Sequence, residues 1–196
     1  IYDFHSKHPT RIFGMFSLNP HYEEDLYRNE ARRCVNELGF VAMKLTPLTH
    51  ILAGSVKRSR LPFEMARELK VPLMIHQGTG LPWSCANTFY PLIKEFSDVP
   101  IVLAHCGTYE NEEEDIFVAK QCPNVCLELS VRTPNIHNIK YFAKEIGSER
   151  MMFASDSPDE MAHVKWEVEH SGLTEKEVQD ILGETAKRVF KLEGKI

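Results

Sequence analysis

The chain has 196 residues, 43% of them hydrophobic and 26% charged, with a formal net charge of −5. That is an ordinary globular composition, of a size that suits one domain over residues 1–196. No apolar run approaches the ~18 residues of a membrane span, and the mild acidity with scattered Lys and Arg argues against a nucleic acid or an anionic membrane as partner. The five cysteines (Cys34, Cys85, Cys106, Cys122, Cys126) include no CxxC pair. They read as reduced, buried thiols in a cytoplasmic protein rather than as a disulfide framework or a zinc knuckle.

Short apolar runs recur along the chain at residues 14–18 (GMFSL), 41–45 (VAMKL), 72–76 (PLMIH), 101–105 (IVLAH), 125–129 (VCLEL) and 151–155 (MMFAS). Each lacks strict alternation, as strands buried on both faces do. Helical stripes lie between them. The first joins Tyr27, Ala31, Cys34, Val35 and Leu38, with Gly39 as the stop. The longest loop, about 46–60, follows the second run and is a candidate active-site loop. Phe89, Leu92, Ile93 and Phe96 make a second stripe, and Ile136, Ile139, Ala143 and Ile146 a third, closed by Gly147. The acidic run at 110–115 (ENEEED) suits a helix start, where carboxylates meet the positive end of the dipole. Thr174 and Glu177 form a capping box, and Gly183 interrupts the last amphipathic segment.

Six strand–helix units predict a parallel sheet with right-handed crossovers. The fold class is α/β, either a doubly wound sheet or part of a (β/α)8 barrel. No GxGxxG or GxxxxGK phosphate loop occurs, which weighs against the nucleotide-binding versions. Two more units of this spacing would bring the chain to the ~250 residues of a full barrel.

In such folds the chemistry gathers where strands run out into the following loops. The residues there are Lys44, His76, His105, Glu128 with Ser130, and Asp156. A lone His at a strand end is usually a hydrogen-bonded core residue. Two His and an Asp at matching positions on three strands form a donor set for a borderline divalent ion, zinc first. Lys44 suits a substrate clamp or a Schiff-base nucleophile, and otherwise a snorkelling lysine. Trp83 suits stacking on a planar substrate or covering the rim. Tyr109 and Arg132 follow the fourth and fifth strands as candidate substrate-binding residues; Arg132 suits a substrate carboxylate, and for both the alternative is the surface. His137, His163 and His170 fall on helices and need no function. Ser130 lacks a GxSxG elbow, which disfavours a serine hydrolase.

The segments at 74–80 (MIHQGTG), 102–107 (VLAHCG) and 153–158 (FASDSP) resemble strands five, six and eight of the amidohydrolase-related family. Residues 8–20 (HPTRIFGMFSLNP) resemble its third strand and entry, 39–45 (GFVAMKL) its fourth strand, and 181–192 (ILGETAKRVFKL) its terminal helix. The resemblance implies a (β/α)8 barrel with a divalent metal, commonly zinc. It implies His76, His105 and Asp156 as metal ligands, with Asp156 also moving a proton. Lys44 then sits where some members carry a carboxylated lysine. The family's HxH pair on strand one has no counterpart here, and His5 and His8 look like helix-end residues instead. The chain therefore reads as strands three to eight, beginning inside the second helix.

The resulting expectation is a metal-dependent hydrolase acting through a metal-activated water on a small, carboxylate-bearing substrate. The alternatives are a decarboxylase of the same family, a non-catalytic degenerate barrel, and a Schiff-base lyase using Lys44, which borohydride trapping would reveal. Because strands left as apolar edges invite pairing, the natural polypeptide is expected to be longer by roughly 50–70 residues and to carry the HxH pair, or another chain to cover the gap, as in a homo-oligomer.

Overall fold

The apolar runs become one parallel sheet of six strands, β1 (Met15–Phe16), β2 (Ala42–Leu45), β3 (Leu73–His76), β4 (Ile101–Ala104), β5 (Val125–Glu128) and β6 (Met151–Met152). These elements come from a computed structural model that describes residues 1–78, 82–106, 112–131 and 136–196. Strand order in the sheet equals chain order, and each neighbouring pair is parallel. A doubly wound sheet reverses its order at a switch point; this one never reverses, so the winding is of the (β/α) barrel type.

Helices alternate with the strands in the order α1 (Tyr2–Lys7), α2 (Glu24–Asn36), α3 (Pro47–His50), α4 (Arg60–Leu69), α5 (Ala86–Glu95), α6 (Glu112–Gln121), α7 (Ile136–Ile146), α8 (Met161–His170), α9 (Glu175–Gln179) and α10 (Thr185–Val189). His5 lies in α1 and His8 caps it, while His163 and His170 lie on α8. Glu112–Asp115 form the first turn of α6, as the dipole argument requires; residues 110 and 111 lie outside the described residues. Among the described residues no helix is long and apolar enough to cross a membrane.

The two faces of the sheet carry separate apolar clusters, because successive side chains point opposite ways. Leu73, Ile75, Leu103, Leu127 and Met151 pack with Phe63, Phe89, Phe96 and Phe142 in the large core. Val102, Cys126 and Met152 pack with Val189 on the other face. Burial on both faces explains why the strands read as unbroken apolar runs. All five cysteines are unbridged.

The 46–60 segment is a packed connection rather than an open loop. It contains α3 and the fully buried Leu52. A Cβ on Gly54 would sit 1.9 Å from the Thr88 carbonyl oxygen, so only glycine lets the segment rest on α5. The Thr174–Glu177 capping box is formed as expected. Gly183 lies in a π-helical turn, Asp180–Glu184, that joins α9 to α10 rather than breaking the helix. The Ile181 carbonyl in that turn accepts the Phe153 N–H at 2.8 Å. This bond ends β6 at Met152 and carries the chain into the loop that bears Asp156.

Candidate active site

The candidate site lies at the carboxyl ends of the strands, where five of the six apolar runs carry a polar residue at or near their ends. Register fixes the arrangement: Lys44 on β2 pairs with Met74 on β3, His76 at the end of β3 with Ala104 on β4, and Glu128 at the end of β5 with Met152 on β6. His105 follows β4 directly and turns with φ 65°; Asp156 follows β6 with φ 59°. Left-handed backbone at non-glycine residues is costly and gathers at functional sites.

The two imidazoles meet edge to face, with ring centroids 4.7 Å apart. Burial pushes the His76 ring below its ordinary value, helped by the Lys44 ammonium and opposed by the Asp156 carboxylate. Burial lowers His105 further, to about 4, helped by His76 and Lys44 and again opposed by Asp156. Both rings are therefore neutral at pH 7, the form in which imidazole binds metals. His76 Nε2 is buried with no hydrogen-bond partner. An orphaned ring nitrogen beside a second neutral imidazole and a nearby carboxylate fits a divalent ion. Among the described residues no three His, Cys, Asp or Glu side chains close into a complete coordination group. The structure brings His76 and His105 together and places Asp156, exposed, at the same end of the sheet.

Behind the pair lies a polar wall. The Glu128 carboxylate is 2% exposed and accepts the His105 N–H and the Ser130 N–H, each at 2.8 Å. The Ser130 hydroxyl donates to Glu128 at 2.9 Å and meets His105 Nδ1 at 2.7 Å. Burial pushes the Glu128 carboxyl up, and these hydrogen bonds pull it back.

Lys44 is half-buried within electrostatic reach of both rings. Trp83 sits in the short helical turn Pro82–Ser84 after β3, its Nε1 buried and unpartnered. Tyr109 and Arg132 lie outside the described residues. Two features of the site are not apparent from the sequence. Gln77 is 1% exposed with neither amide atom hydrogen-bonded. Glu128 and Ser130 were visible as strand-end polar residues, but their joint hold on His105 was not. The available signal was an acid inside an otherwise apolar strand, which must find donors to be buried at all.

Several solved structures share this fold. A 2,6-dihydroxybenzoate decarboxylase from Rhizobium superposes with a TM-score of 0.76 at 20% identity, covering 98% of this chain and 75% of that one. A dihydroxybenzoic acid decarboxylase from Polaromonas sp. JS666, which carries bound manganese, gives 0.74 at 20% identity over 98% and 73%. A 4-oxalomesaconate hydratase from Rhodopseudomonas palustris gives 0.73 at 21% identity over 98% and 70%. No curated protein matches the chain. The amidohydrolase family profile spans residues 1–192, so the fold, the strand-end motifs and the sequence agree, and the chain belongs to the amidohydrolase family.

Proposed function

We propose that this chain is a metal-dependent amidohydrolase-family enzyme acting on a small carboxylate-bearing substrate, with non-oxidative decarboxylation as the favoured reaction. The observation that carries the reading is the neutral His76–His105 pair, 4.7 Å apart, at the strand ends beside the Lys44 cation and the Asp156 carboxylate. His76, His105 and Asp156 are the residues that would hold a divalent ion. Zinc suits two imidazoles and a carboxylate; the manganese of the Polaromonas decarboxylase makes that ion the competitor. Such an ion supplies Lewis acidity and lowers the pKa of water from ~15.7 toward ~7.

The protein's own groups would do the rest. The Lys44 ammonium attracts and orients the substrate carboxylate. Trp83 gives a planar ring a surface to stack on, with its indole N–H left to meet a substrate oxygen. Loss of CO2 from an aromatic acid requires a proton at the carbon that loses it. Asp156 at the mouth is the group assigned to move that proton, and the same carboxylate would serve hydrolysis by taking a proton from water. Decarboxylation ranks above hydrolysis because two of the solved neighbours are decarboxylases of dihydroxybenzoates.

The test is CO2 release from a set of dihydroxybenzoates by the chain supplied with Mn2+ or Zn2+. Turnover that is abolished by a chelator and restored by metal supports the reading. A chain that binds neither ion, or one whose turnover ignores chelation, overturns it.

A further inference from the structure

The hydrogen bonds around Glu128 dictate where protons sit. A backbone N–H can only donate. Glu128 Oε2 accepts one from His105 at 2.8 Å, and Oε1 accepts one from Ser130 at 2.8 Å. These donors favour the ionised form of Glu128 against its burial, and with Glu128 ionised both oxygens are engaged as acceptors. The Ser130 hydroxyl has a single proton, which it gives to Oε2 at 2.9 Å. Toward His105 Nδ1, 2.7 Å away, that hydroxyl is left to accept. The proton in this contact then belongs to Nδ1, and a neutral imidazole has only one.

The geometry points to Glu128 and Ser130 as positioning residues that hold the His105 ring in place and keep its proton on Nδ1, so that Nε2 carries the lone pair. The inference rests on the functional reading above for what Nε2 does with that lone pair. The residues are suited to the task. His105, Glu128 and Ser130 are all at least nine-tenths buried, so water does not compete for these bonds. His105 turns at φ 65°, and the bond from its N–H to Glu128 holds that turn closed. The same carboxylate therefore fixes both the backbone and, through one hydroxyl, the ring of one residue. Outer partners of this kind orient imidazole ligands and raise their basicity.

The test is the 15N spectrum of the histidine rings at pH 7 with chelator present, with His105 assigned by comparison with His105→Asn. In the wild-type chain His105 should show a protonated Nδ1 and an unprotonated Nε2. Ser130→Ala removes the acceptor and should shift the proton toward Nε2, whereas Ser130→Thr keeps a hydroxyl and should restore the wild-type pattern. Calorimetric Mn2+ affinity should fall 10- to 100-fold in Ser130→Ala and recover in Ser130→Thr. A wild-type His105 protonated on Nε2 overturns the inference by itself, and so decides the matter even if Ser130→Ala does not fold. An unchanged tautomer in a folded Ser130→Ala overturns it as well. If the tautomer responds as stated while the wild-type chain binds no ion and turns over no substrate, the positioning role stands and the functional reading fails alone.

Discussion

The two ends of the sheet use polar residues in opposite ways. At the amino ends, donors are spent on the fold: Arg150 before β6 donates to the Ala119 and Ile146 carbonyls, and Asn124 before β5 donates to those of Phe96 and Val99. Among the described residues Asn124 Oδ1 is the exception, buried without a partner. At the carboxyl ends, polar atoms are buried and left over: His76 Nε2, both amide atoms of Gln77, and Trp83 Nε1. Three residues following strands at that end, His105, Val131 and Asp156, also hold left-handed backbone. Unsatisfied buried groups each cost on the order of 1–3 kcal/mol, so the carboxyl end gives up stability that the amino end conserves. Groups withheld from the fold are the ones available to an ion or a substrate.

The largest expected effect breaks the contrast at the functional end. Asp156→Asn should lower turnover roughly 10²–10⁴-fold, because an amide neither takes up a proton nor binds a cation as a carboxylate does. Stability should stay within about 0.5 kcal/mol, since the side chain is exposed and Asn tolerates φ 59° better than most residues. Steady-state kinetics and a urea melt of the same sample check both halves. Near-normal turnover would remove Asp156 from the site.

The next effect is a dependence on pH. The His105 ring titrates at about 4 when folded, against an ordinary value of 6.5. Between those values the unfolded chain binds more protons, so stability is complete above pH 6.5 and falls as pH drops toward 4. The total loss from this residue is roughly 3 kcal/mol. His105→Asn should flatten the stability profile over that window by this amount; Glu128 titrates in both proteins and largely cancels in the difference. Denaturant midpoints at pH 4, 5, 6 and 7 measure it, and parallel profiles would count against the burial of this ring.

How much of this was legible in the sequence follows from what each feature depends on. The strands were readable because burial on both faces leaves an unbroken apolar run, as at Ile101–Ala104, where all four residues are buried. Their ends were less so. The run at 151–155 yields a strand of only two residues, because Phe153 gives its N–H to Ile181 in a helical turn distant in sequence. Polar residues that close apolar runs stood out, so His76 and His105 were identified and do come together. The Ser130 bond to His105 was not readable, because it joins positions 25 residues apart through side-chain geometry. Nor does spacing reveal that Gln77 is buried without partners.

A mutation at the amino end should show the opposite pattern to Asp156. Arg150→Met leaves the carbonyls of Ala119 and Ile146 without their donor, at 2.8 and 2.9 Å in the native chain. Breaking bonds from a charged donor in a half-buried position should cost about 2–3 kcal/mol. Turnover at a temperature where the variant is folded should be unchanged. A variant as stable as wild type would mean that water replaces the guanidinium there and that the amino end does not depend on these bonds.

The smallest effect concerns backbone strain itself. Lys191, like His105 and Asp156, is a non-glycine residue in left-handed conformation, with φ 54°. It lies on the amino-end side, exposed, and its ammonium donates to the Lys70 carbonyl at 2.7 Å. Water can take over that bond, so its loss in Lys191→Ala should cost no more than about 0.5 kcal/mol. Lys191→Gly loses the same bond but removes a left-handed penalty of roughly 1 kcal/mol, less what glycine adds to the entropy of the unfolded chain. Lys191→Gly should therefore be at least as stable as Lys191→Ala, with turnover equal in both. His105→Gly relieves the same backbone conformation and should abolish turnover, because there the left-handed turn serves to place a ring. If Lys191→Gly proves clearly less stable than Lys191→Ala, strain at that end is not the removable kind, and the distinction between the two ends loses its physical basis.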